Sequence, residues 1–312
     1  MAARILVTGA SGFAGSHLVE RLAGHDIVAW SRSAPPAALE ARARWQRVDL
    51  MDRGAVSLAI RDVRPSFVYH CAGSPHVATS WRDTAEPLAS NVLGTHHLLD
   101  ALRTTGLPCR VLVPGSATVY ASSHAPIDEQ HPVSPVSPYA LSKFAQERLG
   151  LRATVEDGIE VVVTRSFNHT GPRQTPAFVA PSMARQVALI ERGAEPVIKV
   201  GNLEARRDFT DVRDIVDAYA LLMRRGDSGS IYNVASGVAP SMRELLDAFL
   251  ARSTVRIRID LDPARMRPHD IPVLVGDASK LRSTTGWEPK ISFDQMIDDL
   301  LDYWRAQTAP TG

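Results

Sequence analysis

A chain of 312 residues with 45% hydrophobic and 22% charged residues has the make-up of one large globular domain or two lobes, which excludes a disordered, collagen-like or coiled-coil protein. Lys+Arg 35 against Asp+Glu 34 leaves a net charge of +1, so no overall field draws the chain to nucleic acid or anionic lipid, although a local basic pocket for a small anion stays open. Two cysteines, Cys71 and Cys109, cannot build a disulfide framework, the ten histidines show no metal-ligand spacing, and no apolar run approaches the roughly 18 residues of a membrane span.

Met1–Val7 carries one arginine and too short an apolar run before Thr8-Gly9 to serve as a signal peptide, which leaves the cytoplasm as the expected location. Apolar, β-rich runs then alternate with stretches of helical period. They read as strand Arg4–Thr8, helix Phe13–Leu22, strand Asp26–Trp30, helix Arg53–Val63, strand Phe67–Cys71, helix Ala85–Arg103, strand Arg110–Gly115, helix Pro138–Thr154 and strand Glu160–Thr164. Such alternation builds stacked βαβ units, so a doubly wound α/β fold with a parallel sheet is expected. After Arg165 the rhythm breaks into loops around Gly171-Pro172 and Pro176, then a helix from Pro181 to Arg192, a helix Asp211–Arg225 and a strand Ile231–Val234. The last two read again as α/β pieces, so the smaller second lobe is expected to be discontinuous. Residues 1–165 form the first domain with returning pieces near 205–236, and residues 166–312 form mainly the second lobe. The tail after Gln307 is expected to fray.

Two segments carry chemistry. Thr8-Gly9-Ala10-Ser11-Gly12-Phe13-Ala14-Gly15 joins the first strand to the first helix. Glycines there permit a tight turn, close backbone approach to a pyrophosphate and close helix packing, while the helix N-terminus offers N–H groups and a positive dipole end. Gly9, Ser11, Gly12, Phe13 and Gly15 are therefore candidate dinucleotide contacts in a Rossmann-type domain. The second strand ends Trp30-Ser31-Arg32-Ser33, with no carboxylate to hold a ribose 2′-hydroxyl. A guanidinium there pairs with a 2′-phosphate, so Arg32 points to NADP(H), with NAD(H) as the alternative.

The second segment is Tyr139-Ala140-Leu141-Ser142-Lys143. Ser137 suits a helix cap and Pro138 the first helical position, which sets Tyr139 and Lys143 four apart on one face. A lysine ammonium near a phenol is expected to lower its pKa and make it a proton donor to a carbonyl oxygen. Ser116, twenty-three residues before Tyr139 at the end of the strand Arg110–Gly115, supplies a hydroxyl for the same oxygen.

Together these motifs resemble the extended short-chain dehydrogenase/reductase superfamily, in the TGxxGFxG form of its glycine motif and in its Ser/Tyr/Lys triad. The resemblance spans nearly the whole chain. It implies that Asp49 and Leu50 flank the adenine, that the Ala72-Gly73 loop passes the ribose and nicotinamide, and that Lys143 also holds the nicotinamide ribose. Asn168-His169-Thr170-Gly171-Pro172-Arg173, the stretch Gly201–Asp214, the segment Met266–Pro272, and Val275–Lys280 with Gly286-Trp287 are similar to the nucleotide-sugar-modifying branch, especially enzymes acting on GDP-mannose derivatives. By that likeness Asn168, Arg207 and Arg267 line the sugar diphosphate; Ser80-Trp81 is read either as meeting the sugar or, for Trp81, as a packed aromatic.

Within this branch, dehydratases follow the strand-end Ser or Thr with acidic residues, whereas here Ser116 is followed by Ala117 and Thr118. Where epimerase-reductases place a histidine after a GP pair, this chain has Arg173. The resemblance therefore implies NADPH-dependent reduction of the 4-keto group of GDP-4-keto-6-deoxy-D-mannose to GDP-D-rhamnose. A 4,6-dehydratase or 4-epimerase, or a non-catalytic NADP-sensing regulator, are the alternatives. It also implies a homodimer through the helices at 85–103 and 138–154. Asn91 is read either as part of a water relay behind Lys143 or as a helix-packing amide. Adjacent His96 and His97 point apart on a helix and do not share a metal.

Overall fold

The computed structural model describes residues 3–75, 77, 79–266 and 271–309. Its centre is a seven-stranded, wholly parallel sheet in the order β3-β2-β1-β4-β5-β6-β11. The strands are β1 (Arg4–Thr8), β2 (Asp26–Ser31), β3 (Arg44–Arg47), β4 (Phe67–His70), β5 (Arg110–Ser116), β6 (Glu160–Ser166) and, after a long excursion, β11 (Ile231–Val234). Val, Ile and Leu fill β1, β5 and β6 without alternation because both faces of a parallel sheet are covered. Helices α1 (Phe13–Arg21), α7 (Val212–Arg225) and α9 (Ser279–Thr285) pack on one face. The other face is covered by α2 (Arg53–Val63), α4 (Gly94–Thr105) and α5 (Pro138–Glu156). The chain reverses direction across the sheet between β1 and β4, and the crevice beyond their carboxyl ends is where such sheets bind ligands.

The remaining elements build a second body. Helices α6 (Val179–Ile190), α8 (Met242–Ala251) and α10 (Phe293–Gln307) enclose an apolar core of their own with β8 (Val197–Val200) and β12 (Arg258–Leu261), which pair in parallel. Short parallel ladders tie this body to the sheet: β7 (Asn168–Thr170) with β10 (Phe209–Asp211), and β9 (Arg206–Arg207) with β13 (Val273–Leu274).

Two departures from the sequence reading matter for the site. The single helix expected over Ala85–Arg103 is a short turn α3 (Ala85–Pro87), a π-helical stretch Leu88–Leu93 and then α4. The wider turn carries Asn91 inward, where its side chain is fully buried. The β3 strand, Arg-Trp-Gln-Arg, was not expected because it lies at the sheet edge and has no apolar run. Of the tail, residues 310–312 lie outside the described residues.

Candidate active site

At the end of β1 the chain turns through Gly9, whose φ of 63° is left-handed and suits glycine. A side chain there would meet the backbone: a Cβ on Gly9 would stand 2.6 Å from the Ala72 nitrogen, at the end of β4. A Cβ on Gly15 would run into the Gly9 carbonyl oxygen and stand 2.9 Å from the Ala10 Cα. These glycines therefore seat the first turn of α1 directly on the strand end. Gly12 is the N-cap and no side chain caps the helix, so the first-turn N–H groups face the loop as a seat for an anion. The cradle fits the pyrophosphate of a dinucleotide: backbone lines it, and Cβ atoms at Gly9 and Gly15 would collide with its walls.

Beside the loop, the ends of β2 and β3 frame a cavity of roughly 340 Å³ lined by Ser31, Arg32, Ser33, Trp45 and Arg47 among others, with no carboxylate in its wall. Ser11 Oγ lies 2.6 Å from Ser31 Oγ and 3.1 Å from Ser33 Oγ, tying the glycine loop to the strand end. Arg32 and Arg47 are both exposed at the cavity. Arg47 was missed in the sequence; what places it is the β2–β3 register, which sets Ser31 opposite Arg47. Asp49 is exposed and accepts from the Met51 N–H at 3.0 Å. Leu50 is half-buried, and its carbonyl oxygen lies 2.8 Å from His97 Nδ1. The Ala72 N–H donates to Thr8 Oγ1 at 3.2 Å, which sets the loop after β4 against the end of β1.

Ser116 is the last residue of β5, and its hydroxyl lies 2.9 Å from Thr118 Oγ1. Ser137 caps α5 by accepting from the Ala140 N–H at 3.0 Å, with Pro138 at the first position. Ser80 holds the same helix end, since its hydroxyl accepts from the Tyr139 N–H at 3.3 Å and donates to the Val77 carbonyl at 2.7 Å. Lys143, buried, donates from Nζ to the Pro114 carbonyl at 2.5 Å and to Gln146 Oε1. Burial brings its pKa down to about 8.

The phenol of Tyr139 corrects one expectation. Burial raises its pKa, the Ser116 hydroxyl draws it back down, and the lysine four residues on is not among the groups that act on it. The ammonium donates instead to Pro114 and Gln146. A phenol held above its ordinary value is protonated at neutral pH, the form that donates. Asn91 is not behind Lys143 by its side chain either. Its amide oxygen accepts from the Ser74 N–H at 2.8 Å, and its amide nitrogen donates to the Ser74 carbonyl at 3.2 Å and to Ser142 Oγ at 2.9 Å.

With this geometry in place, the comparison with known proteins is decisive for the family. The model of the GDP-mannose 4,6 dehydratase family matches residues 6–300. The chain belongs to that family. It is 36% identical over 311 residues, covering 98% of this chain and 99% of the other, to a GDP-6-deoxy-D-mannose reductase of Pseudomonas aeruginosa. The human GDP-mannose 4,6 dehydratase is 28% identical, with 95% and 90% covered. Among solved structures, RMD from Pseudomonas aeruginosa complexed with NADPH superposes with a TM-score of 0.86 at 34% identity, covering 98% of this chain and 100% of that one. A Thermus thermophilus UDP-glucose 4-epimerase complexed with NAD gives 0.87 at 30% identity, covering 97% and 99%.

In this member of the GDP-mannose 4,6 dehydratase family the second body and the segments leading to it carry the remaining candidate residues. Asn168 is half-buried on β7, paired with Phe209. Arg207 is buried on β9 and donates through Nη1 to the Arg206 carbonyl at 2.8 Å. Arg267, with Pro268, His269 and Asp270, lies outside the described residues. Arg173 has a left-handed φ of 74° and grips Glu20 of α1 with two bonds of 3.0 and 2.5 Å. It fastens the loop after β7 to the first helix. The ring of Phe13 stacks on His169 with centroids 5.9 Å apart, a second tie across the crevice. Among the described residues no group of His, Cys, Asp and Glu is arranged to hold a metal ion, and no helix is long and apolar enough to cross a membrane.

Proposed function

We propose that this chain reduces the 4-keto group of GDP-4-keto-6-deoxy-D-mannose to GDP-D-rhamnose, using NADPH. The observation that carries the reading is the end of β5: Ser116 is followed by Ala117, apolar and buried, and by the hydroxyl of Thr118. Removing water across C5 and C6 needs a base and an acid there, and neither side chain is one. The 36% identity to a reductase of the family supports the same choice.

NADPH, when bound, supplies the hydride for C4. The glycine loop from Gly9 to Gly15, with Ser11 and Phe13, seats its pyrophosphate. Arg32, joined by Arg47, holds the 2′-phosphate, while Asp49 and Leu50 flank the adenine and Ala72 the inner ribose. Asn168, Arg207 and Arg267 hold the sugar diphosphate, with Ser80 beside the sugar. Ser116 orients the keto oxygen and Tyr139 gives it a proton. Lys143, its ammonium engaged by Pro114 and Gln146, holds the nicotinamide ribose with its remaining N–H. Residues 1–165 with the pieces near 205–236 act as the cofactor domain and the rest mainly as the substrate lobe.

The assembly is a homodimer through the helices around 85–103 and 138–154, where Leu88, Leu93 and Leu141 are exposed. Both cysteines are free thiols, in keeping with a cytoplasmic location. A second reading, GDP-mannose 4,6-dehydration, follows from the dehydratases of the family. The test mixes purified protein with NADPH and the keto sugar nucleotide and follows the reduced-nicotinamide absorbance. Loss of absorbance with formation of GDP-D-rhamnose supports reduction. Formation of the 4-keto-6-deoxy sugar from GDP-mannose and NADP by this protein alone supports dehydration instead.

A further inference from the structure

We infer that Gln146 is a positioning residue for the reaction, its carboxamide holding the Lys143 ammonium and fixing the direction of the one N–H left for a ligand. The inference rests on the reading of Lys143 given above. An ammonium has three donors. One goes to the Pro114 carbonyl at 2.5 Å and one to Gln146 Oε1, which leaves the third for the crevice. Gln146 is fully buried, three residues beyond Lys143 on α5, a place where packing alone favours an apolar side chain.

The amide has one possible orientation, because the groups behind it are fixed in turn. Gln146 Nε2 donates to Thr95 Oγ1 at 2.8 Å, and Thr95 gives its own proton to the Asn91 carbonyl at 2.6 Å. Thr95 therefore only accepts from its other partners, so His70, whose Nε2 lies 2.8 Å away, carries its proton on that nitrogen. His70 Nδ1 then accepts from Thr8 Oγ1 at 2.8 Å, and Thr8 accepts the Ala72 N–H at 3.2 Å. A flipped amide would aim two donors at an ammonium and an acceptor at a hydroxyl with no proton to give. Two runs of donors thus converge on Thr95 Oγ1, one from Thr8 of the glycine-loop strand through His70 and one from Lys143 through Gln146, and the Thr95 proton leaves to the Asn91 carbonyl.

The titratable groups that act on Lys143 or feel its charge are His70 and Cys71 from the end of β4. Burial keeps both neutral near pH 7: it depresses the imidazole to about 3 and raises the thiol to about 12. Glu147, next along α5, is committed to Arg165 with bonds of 2.7 and 2.8 Å. The oxygens of Gln146 and Pro114 are then what stabilise the ammonium. Replacing the amide by an apolar group disfavours the charged lysine, and replacing it by a carboxylate favours it.

The chain has four lysines, Lys143, Lys199, Lys280 and Lys290, so protein labelled with carbon-13 at lysine Cε gives four NMR signals, that of Lys143 being the one lost in Lys143→Arg. The titration midpoint of Lys143 is expected to fall by about one pH unit in Gln146→Leu and to rise by about one in Gln146→Glu. The alkaline limb of keto-sugar reduction should move in the same two directions, with kcat changed about tenfold at fixed pH and KM little altered. Gln146→Met, close in volume, replaces the leucine variant should that one not fold. Midpoints that stay at the wild-type value, or that move the same way in both variants, overturn the inference. Opposed midpoints in a protein that turns over no keto sugar would uphold the role of Gln146 and overturn the proposed reaction.

Discussion

Gly15→Ala tests the cofactor cradle most severely. An alanine Cβ at this position collides with the Gly9 carbonyl oxygen and lies 2.9 Å from both the Gly9 carbonyl carbon and the Ala10 Cα. Carbon atoms ordinarily approach to about 3.5–4.0 Å, so α1 has to back away from the strand end by about 0.6–1 Å. These neighbours are backbone and cannot rotate aside. Overpacking of this kind costs about 1–3 kcal/mol. The moved helix end also takes its N–H groups out of reach of the pyrophosphate, and a tenfold loss of NADPH affinity is about 1.4 kcal/mol. Thermal melts with and without NADPH read both effects. At a cofactor concentration of about 100 times the wild-type Kd, binding stabilises the wild type by about 2.7 kcal/mol and a tenfold weaker variant by about half that. Gly12→Ala is the internal comparison: its Cβ meets one atom, the Gly9 oxygen at 3.1 Å, and its φ of −74° suits alanine. It should show less than half of either loss. A Gly15→Ala protein that melts with the wild type and keeps the full NADPH shift would refute the cradle.

Arg32→Ala should weaken NADPH by roughly tenfold or more while NADH changes little, measured by fluorescence titration; equal losses for both cofactors would remove Arg32 from the 2′-phosphate site. Glu147→Gln leaves the Arg165 guanidinium, 4% exposed, without its counter-charge, and should cost about 3–5 kcal/mol in a denaturant melt, a loss under 1 arguing that the pair is not buried in solution. Stability should also fall on mild acidification. His17 and His70, both buried, have folded-state pKa values depressed from 6.5 to about 4 and about 3. Below pH 6.5 the unfolded chain takes up protons that the folded one refuses, so each histidine should cost about 2 kcal/mol between pH 7 and pH 5. His17→Asn should remove about half of that slope, and an unchanged slope would show that His17 is not held neutral.

The Rossmann half of the molecule was legible because its strands are buried on both faces and its turns are punctuated by glycine. Helix Arg53–Val63 and strand Ile231–Val234 were expected where they lie, and helix Phe13–Leu22 differs by one residue at its end. The parts that were not legible have physical causes. β3 is polar and at an edge, and the π turn before α4 leaves no mark in an apolar period that runs straight through it. The elements α8, α10, β8 and β12 pack against one another rather than on the sheet, so no βαβ rhythm announces them. At the site, Ser137 and Pro138 announced the helix that carries Tyr139 and Lys143. Nothing in their spacing could say which way the ammonium turns, since that depends on Gln146 and on a carbonyl of β5. Arg47 likewise becomes visible only when the β2–β3 register brings it beside Ser31.

Turnover of the keto sugar nucleotide with NADPH in heavy water, followed by mass spectrometry and proton NMR of the product, tests the central claim that Tyr139 protonates the oxygen while no group draws a proton from the ring. The account predicts a GDP-D-rhamnose whose C5 carries ordinary hydrogen, formed by the wild type and lost by at least a hundredfold in Tyr139→Phe. Deuterium at C5, or a Tyr139→Phe enzyme that keeps its rate, would contradict it.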